Sequence, residues 1–116
     1  MSDEYFQGRI EVSPAAVATL ANYAVLNSYG VVGMSSKNLV NGLAQVLRQD
    51  SKRGVEVHID GEEITIDLYV VIEYGVRIAT VAKNIMNNVK FTVEKAIGVP
   101  LSHVNVHVQG LRVSKS

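Results

Sequence analysis

Val55-Glu56-Val57-His58-Ile59-Asp60 runs into Gly61-Glu62-Glu63 and then into Ile64-Thr65-Ile66-Asp67-Leu68-Tyr69-Val70-Val71-Ile72-Glu73-Tyr74, and this stretch decides the fold. Apolar and polar residues alternate with a period of two, the pattern of a strand buried on one side. Asp60-Gly61 lies between the two runs, so an antiparallel hairpin with a short turn is predicted. The aliphatic side carries Val55, Val57 and Ile59 on one arm and Ile64, Ile66, Leu68, Val70 and Ile72 on the other. The opposite side carries Glu56, His58, Asp60, Thr65, Asp67, Tyr69 and Glu73. A sheet with one wet face takes helices on the other face only.

Downstream, Gly75 ends the long strand and a helical stripe begins: Ile78, Val81, Ala82, Ile85, Met86, Val89, Val93, Ala96 and Ile97. Gly98 and Pro100 stop it. His103-Val104-Asn105-Val106-His107-Val108 alternates again and reads as a final strand. Upstream, Ser13-Pro14 is a helix start, because the hydroxyl accepts an orphan N–H and proline has none to satisfy. Val17, Leu20, Ala21, Ala24 and Val25 follow at helical spacing, with an end expected near Tyr29-Gly30. Gly30-Val31-Val32-Gly33-Met34 reads as an apolar connector. Ser35 or Ser36 then caps a second helix carrying Leu39, Val40, Leu43, Val46 and Leu47, closed by Gly54. Arg9-Ile10-Glu11-Val12 alternates as a short first strand.

The predicted order is therefore β-α-α-β-β-α-β: an α+β two-layer sandwich, one mixed sheet with helices on one face. The connectivity suggests a ferredoxin-like strand order. Residues 1–8 read as a flexible arm, and residues 9–116 as one domain. Glu4-Tyr5-Phe6-Gln7-Gly8 resembles the end of a protease-cleavage tag, so part of the arm reads as a cloning remnant.

Bulk properties narrow the function. A chain of 116 residues buries roughly two-thirds of its unfolded surface, enough for one core. Lys plus Arg and Asp plus Glu are both 11, so the basic field that phosphate backbones or anionic lipids require is missing and no nucleic acid is expected. There is no cysteine, which excludes disulfides, thiolate nucleophiles and zinc–sulfur sites. No apolar run approaches the ~20 residues that cross a bilayer, so direct membrane insertion is not expected.

The sequence has no phosphate loop, dinucleotide fingerprint or nucleophile elbow. No catalytic residue is assigned and no cofactor is expected. His103 and His107 share a strand face, and His58 falls on the equivalent face of another strand, flanked by Glu56 and Asp60. These histidines are the candidate metal ligands, since imidazoles and carboxylates are zinc donors. Strand alternation alone puts every second residue outward, however, so the reading retained is a solvated face without a metal. Gly30-Val31-Val32-Gly33 matches the bare G-x-x-G of KH domains and supports an alternative function as a small nucleic-acid binder, but the central Val-Val and the single nearby Lys37 suit it poorly. At the Glu73–Arg77 corner a helix N-terminus could hold an anion, against a plain turn at Gly75 with Glu73 paired to Arg77. Lys83, Asn84, Asn87, Asn88 and Lys90 make an amide-rich side of the long helix, a candidate partner-binding surface.

An ordered set of short motifs carries a resemblance. Gly8-x-Ile10-x-Val12-Ser13 is followed by Gly30-Val31-Val32-Gly33-Met34, Gly54-Val55-x-Val57, Asp67-x-Tyr69-Val70-Val71-x-x-Tyr74-Gly75, Ile78-x-x-Val81-Ala82, Val89-x-x-x-Val93 and, after Gly98, Val104-x-Val106-x-Val108-x-Gly110. The set resembles the alkaline-shock protein family of Gram-positive bacteria, also called the Gls-type envelope stress-response family. Met34–Asn38 and Val108–Val113 resemble its short YloU-type branch. The resemblance implies a cytoplasmic, non-enzymatic scaffold or adaptor linked to the envelope stress response and cell-wall homeostasis. It also implies self-association into a homo-oligomer and, as in some relatives, a small membrane-anchor protein as partner. It brings no catalytic residue and no cofactor.

Overall fold

The structure, a computed structural model, describes residues 11–35 and 54–113. Within them the order is α1 (Pro14–Leu26), β1 (Val31–Met34), β2 (Val55–Asp60), β3 (Glu63–Glu73), α2 (Ile78–Ile97) and β4 (His103–Arg112). Ser13 caps α1 as predicted, its Oγ accepting the Ala16 N–H at 3.1 Å. α2 ends on Gly98, which is left-handed at φ 81° and returns its N–H to the Glu94 carbonyl. Glu94 also accepts the Leu101 N–H at 2.7 Å, tying the α2–β4 connection to the helix it leaves.

β3 is the central strand of a mixed sheet. On one side it pairs antiparallel with β2 over residues 63–68 and with β1 over residues 70–72. On the other it pairs with β4 in parallel. β1 and β2 thus share one edge of β3 end to end and meet at Tyr69, whose N–H goes to the Gly54 carbonyl and whose carbonyl takes the Ser35 N–H.

Both helices cover the same face. Val17, Ala21, Ala24 and Val25 of α1 and Val81, Ile85, Val89 and Val93 of α2 pack in one cluster with Ile64, Ile66, Leu68, Val70 and Ile72. Fully burying each large aliphatic side chain is worth about 1.5–3 kcal/mol. The two-layer α+β sandwich with helices on one face is as predicted.

Several details differ. Gly30–Met34 is not a mere connector: Val31 pairs with Ile72, Gly33 with Val71 and Met34 with Val70, the register shifting between Val31 and Gly33. β3, at 11 residues, outruns the 6 of β2, and β1 supplies the hydrogen bonds its far half lacks. β3 and β4 are direct neighbours joined by α2, an unsplit β-α-β crossover, so the order is not ferredoxin-like. β4 continues beyond Val108 to Arg112 through a register shift opposite Val70/Val71. Of the predicted first strand, Arg9 and Ile10 lie outside the described residues, and Glu11 and Val12 are not in a strand. Residues 36–53, where the second helix is expected, also lie outside, as does the arm 1–8.

Candidate functional site: the outer face of the sheet

Alternation and register fix a grid of side chains on the face opposite the helices. His58, Thr65 and His103 form one row across β2, β3 and β4, and Glu56, Asp67 and Asn105 form the next. Tyr69 and His107 pair in the third. This face is not uniformly wet. Tyr69 and Val71 are buried, and the Tyr69 ring stacks on His107 with centroids 4.6 Å apart and planes 12° from parallel.

Asp67 is the hub. Its Oδ1 accepts Asn105 Nδ2 at 3.0 Å and lies 3.0 Å from His107 Nε2. Its Oδ2 is turned toward His58 Nε2 at 3.8 Å, and that nitrogen is 3.7 Å from Glu56 Oε1. Partial burial alone would raise the Asp67 carboxyl. The hydrogen bonds from His107 and Asn105, with the charge that His107 and His58 carry when protonated, outweigh it and hold the group below its ordinary value of 3.8. A carboxyl lowered in the native state adds stability that is complete above its unfolded value and disappears as pH falls through the native one. Asp67→Asn is therefore expected to flatten the loss of stability on acidification below about pH 4. Urea unfolding at steps between pH 2.5 and 6 checks this; superimposable acid limbs for variant and parent contradict it.

The three histidines considered as candidate metal ligands share this face but do not all converge: His58 and His107 both lie against Asp67. Thr65 pairs with both His58 and His103, so those two stand two strands apart, about 9–10 Å at the backbone. His107 is engaged with Asp67 and Tyr69. The group that does converge is Glu56, His58 and Asp67, whose donor atoms all lie within 4.8 Å of one another.

The amide-rich side of α2 divides. Asn88 donates to Ser28 Oγ at 2.8 Å, and buried Ser28 donates to the Ala24 carbonyl at 2.9 Å, so Asn88 joins α2 to α1. Asn88→Ala should cost about 1 kcal/mol, read as a lower urea midpoint at unchanged slope; an unchanged midpoint removes it from the helix–helix contact. Asn84 lines a cleft of about 250 Å³ with Tyr29, Arg77 and Thr80. Asn87 and Lys90 line another, of about 320 Å³, against Leu101 and His103 where α2 meets β4. Lys83 is exposed. At Gly30–Gly33, pairing of Val31 and Gly33 with β3 places the G-x-x-G in a sheet and not in a loop between helices. In the other corner, Arg77 occupies the N-cap of α2 without a side-chain capping bond.

The sequence matches one family model over residues 2–113, nearly its whole length. The chain belongs to the alkaline shock protein 23 family, whose function is described as cell envelope-related. The alkaline shock protein 23 match agrees with the resemblance carried by the motifs. The chain is 43% identical to the uncharacterized protein YloU of Bacillus subtilis over 109 residues, covering 92% of this chain and 91% of that protein. It is 38% identical to the uncharacterized protein Spy1614 of Streptococcus pyogenes, covering 91% and 89%. The YloU similarity fits the branch assigned from Met34–Asn38 and Val108–Val113. A likeness to a solved structure, the MamM CTD in a zinc form, is remote at 15% identity and TM-score 0.49, and bears on neither fold nor function. Among the described residues no helix is long and apolar enough to cross a membrane.

Proposed function

We propose that this member of the alkaline shock protein 23 family is a non-enzymatic scaffold that acts in the cell envelope stress response by pairing its β4 edge with a second copy of itself. The observation that carries this reading is the chemistry of the sheet edges. Edge strands are ordinarily blunted by shortness, charge or proline, because their unpaired N–H and C=O groups attract other strands. β1 is blunted by its 4 residues, and β2 is short and bears Glu56 and Asp60. β4 runs 10 residues, HVNVHVQGLR, with no proline, no acid and one arginine at its very end. Among the described residues it pairs with β3 alone. Val108 and Leu111 on it, and Val113 just beyond, are exposed.

Antiparallel pairing of two β4 strands about a twofold axis would give a closed dimer with one continuous sheet. It leaves the clefts flanking α2 open to a further partner, and a small membrane-anchor protein is the partner we propose for them. Lysine at Val108, which is 36% exposed, should blunt the edge and weaken the dimer by at least about tenfold without unfolding the chain. Light scattering and sedimentation at tens to hundreds of micromolar chain read the result. A parent that stays monomeric throughout, or a Val108→Lys variant that associates as well as the parent, rules the reading out.

A further inference from the structure

One cluster on the outer face has a chemistry that edge pairing does not use. We propose that Glu56, His58 and Asp67 form a binding site for a divalent transition-metal cation of the zinc class. This inference stands whether or not the chain self-associates.

The donor atoms already approach a metal's shell. Zinc holds nitrogen and oxygen donors at about 2.0–2.2 Å, which in a tetrahedron sets neighbouring donors about 3.3–3.6 Å apart. His58 Nε2 stands 3.7 Å from Glu56 Oε1 and 3.8 Å from Asp67 Oδ2. Closing by a few tenths of an ångström completes those two edges. The imidazole is 63% exposed and the three residues sit on two hairpin strands in fixed register, so the rotamers can adjust while the backbone holds.

Asp67 is prepared for this task. Both of its hydrogen-bond donors, Asn105 and His107, engage Oδ1, and Oδ2 is left facing His58. Ligands held by a second set of hydrogen bonds are the rule at metal sites, and losing such a partner costs roughly 10–100-fold in affinity. His107, further fixed by its stack on Tyr69, is thus a positioning residue and not a ligand.

The donor set selects the cation. Calcium and magnesium prefer shells of six or more oxygens, and copper(I) prefers sulfur, whereas one imidazole with two carboxylates suits zinc, cobalt, nickel or copper(II). Three protein donors leave at least one position open to water or to a side chain of another molecule.

The test is calorimetric titration of the full chain with zinc chloride, repeated with cobalt(II) to read coordination from its visible absorption. The expected result is one ion per chain, with tetrahedral-type cobalt bands. His58→Ala and Glu56→Gln should weaken binding at least about 100-fold, His107→Ala about tenfold, and His103→Ala not at all. Far-UV circular dichroism of each variant separates lost binding from lost folding, and Glu56→Gln, which keeps side-chain shape, serves if His58→Ala is misfolded. The proposal is overturned if the parent takes up no zinc, if folded His58→Ala and Glu56→Gln bind like the parent, or if His103→Ala abolishes binding.

Discussion

Leu68→Ala is expected to lower the unfolding free energy by about 3–5 kcal/mol, a fifth or more of the roughly 5–15 kcal/mol that a domain possesses. Leu68 is fully buried at the middle of β3, with Val55 beside it on β2 and Val106 on β4. It lies where both helices close on the sheet, in the cluster that joins α1, α2 and the inner side of the strands. Truncation there removes the transfer free energy of three methyl-level groups and leaves a cavity that central strand pairing prevents from collapsing. Ile59 provides the contrast. Its alternation puts it on the same face, yet it is 41% exposed near the hairpin turn, beyond the helices' cover. Ile59→Ala should cost under about 1 kcal/mol. Urea midpoints at constant slope measure both; equal losses at the two positions would contradict the layer arrangement.

Gly54→Ala is the second large expectation, about 3 kcal/mol or more, read by the same unfolding curves. Gly54 sits at φ 83°, and an added Cβ would lie 2.8 Å from Met34 Cβ and 2.9 Å from the Ser35 carbonyl oxygen. The crowding follows from the topology. β1 leaves the edge of β3 and β2 joins it at the same residue, Tyr69, so the two strand ends abut with no room for a side chain. Gly98 is the control, because it has nearly the same φ, 81°, with nothing near its missing Cβ. Gly98→Ala should cost only the left-handed penalty, about 1–2 kcal/mol. The excess at Gly54 isolates the steric contribution, and an equal cost at both glycines would argue against the meeting of β1 and β2 at Tyr69.

The sequence makes some of this legible and hides the rest for physical reasons. The hairpin and α2 are plain because their periods, two and 3.6, persist for several repeats and end on glycine. Once the Asp60–Glu63 pair closes the turn, counting back places Glu56 opposite Asp67, so half of the carboxylate–imidazole cluster could be read from residues alone. β1 is hidden because its four residues include a glycine and show no alternation. The one hint is that β3 outlasts β2 and needs another partner for its far half. Asn105 and His107 reach Asp67 only through the parallel register of β3 with β4, which the packing of α2 sets over a long crossover and no local pattern encodes. The same dependence explains why three histidines that share a face do not all share a site. Tyr69 is predicted on the wet side and is nonetheless buried, because alternation gives direction and not cover.

Edge pairing of β4 is tested most directly by amide hydrogen exchange followed along the chain as its concentration is raised. Pairing predicts that alternate amides within His103–Arg112, unprotected at low micromolar concentration, become protected in step with dimer formation while β2 amides do not change. Association that leaves β4 exchange untouched, or that shifts protection onto α2 or β2 instead, would contradict it.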